Sequence, residues 1–320
     1  MTLKPAVSIC IPAYNAERHL PATLRFVMAQ TCPDLEILVL DNASTDATAE
    51  LVARAGDPRI RLERNETTLS LPDNWNRAVE LSRGALVKVV CADDLIHPDL
   101  TRRQRAVLDA DDGVAVVANR RHLVDDDGTL LASSTGLRHL VGRFDGPAVA
   151  TRVVRDGGNP IGESAAVMFR RATFDAVGGF DEQLLFPMDL ELWVRLLNHG
   201  DFVGLPEPMA AFRASAGSLS SRRLRVQYDE QLELTRRIAA DPRWQVRRRY
   251  RLLGRVGAPL ARARREILFR AAASPRRRSL SKVMAGPESA WLSLAERRQE
   301  VAEGPGSSSG PTRSRPASAG

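Results

Sequence analysis

Four short apolar runs constrain this chain more than anything else in it: AVSICI (6–11), EILVL (36–40), ALVKVVC (85–91) and VAVVA (114–118). Each is almost free of polar residues, as strands are when a parallel sheet is covered on both faces. A further short strand is expected at 60–63. Between the strands lie helical spacings. One is expected from Asn15, as its cap, through Leu20, Leu24, Val27 and Met28. Others are expected at 44–55, opened by the cap-rich STDAT, at 73–83 and at 97–109. The alternation predicts an α/β fold with a mostly parallel, Rossmann-like sheet. Ligands of such sheets bind beyond the C-terminal strand ends. Asp41 and the pair Asp93-Asp94 stand at two such ends.

After residue 118 the alternation stops. Asp125-Asp126-Asp127-Gly128 reads as a hairpin turn exposed to solvent. The Gly- and Arg-rich stretch 135–160 is expected to be a mobile connection. A strand (164–169), a short helix (173–177), a Gly178-Gly179 turn and an amphipathic helix (187–198) follow.

The net charge of +7 divides unevenly. Residues 1–221 hold 23 basic and 30 acidic side chains, whereas residues 222–320 hold 23 and 9. The front is therefore a mildly acidic globular unit, alternating over about 1–118 and irregular over about 119–221. The back is an arginine-rich extension (222–303), expected as solvated helices at 222–240, 244–270 and 288–303. A disordered tail (304–320) is expected to follow. Basicity confined to the extension is no sign that the front binds nucleic acid, and the extension has no basic–aromatic interleaving. Its clusters suit peripheral contact with anionic lipid. No apolar run reaches transmembrane length, and 1–15 has no signal-peptide pattern, so the cytoplasm is expected, with peripheral contact at the inner membrane face. Cys10, Cys32 and Cys91 have no metal-type spacing and read as reduced core thiols.

The first turn, PAYNAE, carries no dinucleotide-binding glycines. Phosphate-loop, Gly-x-Ser-x-Gly and His-Glu-x-x-His motifs are absent as well. What remains is carboxylates at strand ends. Asp93 and Asp94 repel each other unless a cation or donor lies between them. Carboxylates plus substrate phosphates are the usual ligands of Mg²⁺, so a nucleoside diphosphate bound through a divalent cation makes sense of the pair.

VSICIPAYNAERHL, EILVLDNASTDAT, DNWNRAVELSRGALVKVVCADDLIHPDL, AAVMFRRATFDAVGGFDE and MDLELWVRLL together resemble, in order, the blocks of family-two glycosyltransferases, inverting enzymes of the A-type fold. The resemblance covers roughly residues 6–220 and implies roles. Pro12, Ala13 and Tyr14 match the turn against the nucleotide base, with Glu17 the acidic residue after it. Asp41 matches the base- or ribose-contacting aspartate. Asp93 and Asp94 match the motif that holds the metal (Mn²⁺ or Mg²⁺) and the sugar nucleotide. Asp189 matches the aspartate that deprotonates the acceptor hydroxyl, and its place in a first helical turn favours the ionised form. Arg213 is a candidate phosphate contact. Three departures stand out: Cys91 replaces the first aspartate of an Asp-x-Asp-Asp block, Met188 the glutamate before Asp189, and Ser215 a histidine.

The implied function is sugar transfer from a nucleotide-diphospho sugar, UDP- or dTDP-linked, to a glycan, lipid-linked or small-molecule acceptor in surface glycan synthesis. A non-catalytic sugar-nucleotide binder and a nucleotidyltransferase are the alternatives. Trp193 is expected in the core, Trp75 in the core or on a sugar, and Glu191 paired with Arg195 at i+4. Lys88 is expected to snorkel.

Overall fold

The computed structural model describes residues 5–215, 223–272 and 290–292. Strands β1 (Val7–Ala13), β2 (Leu35–Asp41), β3 (Ile60–Arg64) and β4 (Leu86–Val89) form a parallel half-sheet in the order β3-β2-β1-β4. Every residue of β1, β2 and β4 is buried, which is why these runs are apolar throughout. The β1–β2 register ends with Ala13 opposite Asp41, so the loops after both strands open side by side. Helices α1 (Leu20–Met28), α2 (Thr48–Ala53), α3 (Leu71–Leu81) and α4 (Leu100–Ala110) are the predicted connections. Asn15 does not cap the first. It adopts a left-handed φ of 46°, and α1 begins at Leu20 with Pro21 in its first turn.

The second half-sheet is mixed. β9 (Val167–Arg170) runs antiparallel to both β4 and β6 (Val114–Val124), while β10 (Asp201–Arg213) lies parallel to β6. The two-residue strand β5 (Leu95–Ile96) pairs antiparallel with β10, which holds the Asp93-Asp94 turn beside Arg213. β7 (Leu130–Thr135) and β8 (Gly142–Phe144) pair with β6 and β10. The remaining helices of the front are α5 (Gly146–Asp156), α6 (Arg171–Val177) and α7 (Met188–Leu196).

Four further expectations change. First, β6 runs on to Val124, because its far end is covered by β7 and β10. Second, 135–160 is not a bare connection. It contains α5, whose N-cap Asp145 accepts the Ala148 N–H at 2.8 Å and whose C-cap Gly157 is left-handed. Third, Lys88 does not snorkel. It is wholly buried, and its Nζ donates to the carbonyls of Ala165 (2.7 Å) and Val167 (2.9 Å). The β4–β9 ladder stops at Val87–Phe169, so the Lys88 amine serves carbonyls that no backbone donor of β4 reaches.

Fourth, the extension is not a solvated appendage. Helices α8 (Leu224–Ala240) and α9 (Arg248–Ala272) lie against α5, with Leu234, Ile238, Trp244 and Val246 in the main core cluster. Glu230 accepts the N–H groups of Leu185 and Phe186 just before α7. Most of the helix expected at 288–303, and all of the tail at 304–320, lie outside the described residues. No helix among the described residues is long and apolar enough to cross a membrane.

Candidate active site

Three strand ends and one helix N-terminus converge on a single cleft. At its first end the loops after β1 and β2 are laced together by side chains. Asn15 N–H donates to Ser44 Oγ, Asn15 Oδ1 accepts Thr45 N–H, and Thr48 Oγ1 accepts Ala16 N–H. Glu17 accepts Ala47 N–H, so its carboxylate braces the entry to α2. This lacing leaves Pro12 and Ala13 buried and the Tyr14 ring about half exposed at the rim. Asp41 sits fully buried on the floor. Its Oδ1 accepts Ser44 N–H at 3.0 Å; its Oδ2 has no hydrogen bond, with Arg64 Nε 3.2 Å away. Behind it Asn65 donates to both Asn42 and Asn74, which fixes the cleft wall.

The acid pair lies at the centre. Thr23 Oγ1 donates to the carbonyls of Ala92 and Asp94, pinning the turn to α1. Arg213 N–H donates to Asp94 Oδ1 at 3.1 Å. The other oxygen, Asp94 Oδ2, is buried with no hydrogen-bond partner. Burial pushes the Asp94 carboxyl well above the usual range, and Asp93 beside it adds to the rise. Asp93 is raised by burial too, against the pull of Arg213. Cys91 is not a plain core thiol. Its Sγ and one oxygen from each aspartate lie within 4.8 Å of one another. Burial and the two carboxylates push its thiol well up, so it stands there protonated.

An unsatisfied buried carboxylate oxygen next to a second carboxylate is the arrangement a divalent cation relieves. Hard oxygen donors suit Mg²⁺ or Mn²⁺, whereas a protonated thiol is a poor ligand. The residues present therefore fit a divalent cation held by Asp93 and Asp94.

Arg213 is reached by the same strand geometry, but two of its side-chain nitrogens are already engaged. Nε donates to the Asp93 carbonyl, and Nη1 donates to the carbonyls of Asp125 and Asp126. It is a clamp between two acidic turns. The 125–128 turn is thus docked at the cleft rather than solvated. Asp126 raises the proton affinity of Asp93 and lies 3.7 Å from His19.

Asp189 stands in the first turn of α7, partly exposed, with Oδ1 accepting its neighbour's N–H from Leu190 at 2.6 Å. Burial pushes its carboxyl up to about 7, and Glu163 adds to the rise. The helix terminus does not keep it ionised as expected, because desolvation and a like charge outweigh a dipole effect of about 1 kcal/mol. Glu163 is in turn paired with the buried Arg121, whose Nη2 donates to Oε1 at 3.0 Å. Glu163 acts electrostatically on both Asp94 and Asp189, which links the acid pair to Asp189. Met188 is buried at the same helix start, and Ser215 lies two residues beyond Arg213. A cavity of about 660 Å³ opens beside Glu163, Arg121 and Arg265, walled by the 155–160 segment and by α8 and α9. Trp193 is core, its Nε1 donating to Gly162 O, and Trp75 is core as well, edge-on to Phe180 at 5.3 Å. Glu191 pairs with Arg195 as expected.

Glu163, Arg121 and His19 escaped the sequence reading, as did the docking of Asp126 at the cleft. The one usable signal was Asp-Asp-Asp-Gly after a strand long enough to bring it level with the Asp93-Asp94 turn.

The family described as Glycosyl transferase family 2 matches residues 8–178. An uncharacterised protein of Mycobacterium tuberculosis is 33% identical over 227 residues, 68% of this chain and 70% of that protein. The chondroitin synthase of Escherichia coli is 26% identical over 210 residues, which span 63% of this chain but 28% of the synthase. Among solved structures, a mannosyltransferase from Pyrobaculum calidifontis in complex with GDP-mannose and Mn²⁺ superposes with a TM-score of 0.60 at 18% identity, covering 92% of this chain and 85% of the other. Residues 1–349 of Staphylococcus aureus TarS in complex with UDP-GlcNAc give 0.57 at 18% identity, covering 90% and 79%. These neighbours share the A-type glycosyltransferase fold.

Proposed function

The chain belongs to glycosyltransferase family 2 and is a glycosyltransferase; we propose that it transfers a sugar, with inversion, from a uridine- or thymidine-diphospho sugar to an acceptor hydroxyl. Family membership sets aside the nucleotidyltransferase and the non-catalytic binder. The observation that carries the proposal is the unsatisfied Asp94 Oδ2 beside Asp93, with Glu163 linking that pair electrostatically to a carboxyl tuned to about 7 at Asp189.

The base would lie between the Tyr14 ring and Asp41. Asp41 Oδ2 makes no hydrogen bond, although Arg64 Nε lies 3.2 Å away, and it is an acceptor for which the imide N–H of uracil or thymine is a suitable donor. Asp93 and Asp94 would hold a divalent cation, Mg²⁺ or Mn²⁺, whose charge offsets that of the diphosphate and makes it a better leaving group. Neighbours complexed with UDP-GlcNAc and with GDP-mannose and Mn²⁺ support a donor of this class. Asp189 accepts the acceptor's hydroxyl proton as that oxygen attacks the anomeric carbon. The carbon–oxygen bond to the diphosphate breaks on the opposite face, and its electron pair leaves with the diphosphate. A base with a pKa near 7 has the proton affinity such a step wants at neutral pH. Arg121, Arg155, Arg264 and Arg265 line the cavity that would take the acceptor. Their charge favours a glycan or lipid-linked acceptor bearing phosphate or carboxylate.

The test is a thermal-shift panel of UDP, dTDP, GDP and ADP with and without Mn²⁺, because a ligand of the native state raises the melting temperature. UDP or dTDP should stabilise the chain, and more so with Mn²⁺. If no diphosphate shifts the transition, the donor assignment fails.

A further inference from the structure

Helix α9 has two unlike faces. On one, Gly254 and Gly257 meet α5 so closely that a Cβ on either would lie 2.2 Å from Val154 O or 2.5 Å from Arg155 O. Ala258, on the same side, is buried. The opposite face carries Leu252, Leu253, Val256, Leu260 and Ile267, exposed by 50%, 49%, 62%, 53% and 61%. At 3.6 residues per turn all five fall within an arc of about 100°. They make up five of the nine exposed large hydrophobics among the described residues, so the exposure is concentrated rather than scattered. Within its 25 residues α9 has eight arginines and one acid, Glu266, which pairs with Arg262. Exposed Arg255 and Arg264 border the apolar stripe on its two sides, and exposed Arg270 stands at its C-terminal end.

We propose that this outer face of α9 lies in the surface of a membrane containing anionic lipid, with the five apolar side chains below the headgroups and the flanking arginines among them. The chemistry of the face selects this occupant. Arginines spread their stems over apolar surface while their heads seek phosphate. An in-plane helix needs this pattern, and the charge density rules out a spanning one. A second copy of the chain fits less well. A symmetric pairing would bring the same patch onto itself and set Arg255, Arg264 and Arg270 against their own copies. The arrangement also brings the arginine-lined cavity, to which Leu260 and Arg264 belong, to the bilayer surface. None of this depends on the reading of the sugar-transfer site.

Vesicle flotation of the full chain tests the proposal. The protein should float with phosphatidylcholine vesicles containing phosphatidylglycerol, bind pure phosphatidylcholine weakly, and be released by salt. The double variant Leu252→Asn/Val256→Asn removes two exposed apolar side chains, so folding should be intact by circular dichroism. Vesicle partitioning should fall by at least about tenfold. The variant Arg248→Glu/Arg255→Glu keeps the stripe and should lose the preference for the anionic lipid. Absence of vesicle binding overturns the proposal, as does binding that neither variant weakens. A dimer in light scattering that Leu252→Asn/Val256→Asn dissociates, with no vesicle binding, would instead make the face a contact between copies.

Discussion

Replacing Asp189 by Asn should abolish sugar transfer and at the same time stabilise the fold at alkaline pH. Asp189 binds its proton with a pKa of about 7 in the fold, against an ordinary value of 3.8. Between those two values the folded chain holds a proton that the unfolded chain has released. Stability therefore falls as pH rises through this window, and the loss is complete above about 7. About three pH units at about 1.36 kcal/mol each give an upper bound of about 4 kcal/mol. Asp189 keeps some solvent contact, so about 2 kcal/mol is the better expectation. Asparagine is isosteric, keeps the Oδ1 that accepts Leu190 N–H, and never ionises. At pH 5, where roughly a third of that loss has accrued, the variant should melt only slightly higher than the parent. At pH 8 the variant should melt several degrees higher. Turnover should drop by about 10²–10⁴, the usual worth of a positioned base, while UDP still raises the melting temperature. Equal melting differences at pH 5 and pH 8 would refute the burial argument, and turnover within tenfold of the parent would refute the assignment of the base.

Glu163→Gln removes a like charge that helps raise Asp189, so the acid limb of the rate–pH profile should move to lower pH; an unmoved limb counts against the coupling. Asp94→Asn should eliminate the extra stabilisation that Mn²⁺ gives to UDP in the thermal-shift panel, yet leave the metal-free protein no less stable, since a buried, repelled carboxylate is gone. Lys88→Met keeps the packing volume but strands two buried carbonyls, so urea unfolding should register a loss of about 2–4 kcal/mol with the slope unchanged.

The N-terminal half of the fold was legible because its signals are local. Apolar runs that every neighbour buries, and carboxylates that end them, appear in the chain in the order in which they are used. Asp41 and Asp93-Asp94 are of this kind, and a strand end tells where each must point. The second half was hard to read for the opposite reason. β9 runs against its neighbours, β6 extends past its apolar stretch, and α5 hides in a run rich in glycine and arginine, although Asp145 and Pro147 mark its start. Lys88 looked like a surface residue because no sequence pattern states where a ladder stops.

The acidic character of the cleft depends on residues far apart in the chain. Arg213 ties the turn at 93–94 to the turn at 125–126, and Glu163 feels both Asp94 and Asp189. Arg121 pairs with Glu163, and Arg265, on α9, reaches the same group from outside the matched region. Arg121 and Arg265 lower the proton affinity of Asp189, whereas burial and Glu163 raise it. The proton affinity of Asp189 is therefore set by a balance in which an extension helix takes part. A helix that merely hung from the domain could not contribute to that balance. If α9 also docks on a membrane, the same helix that tunes Asp189 holds the cleft at the bilayer surface.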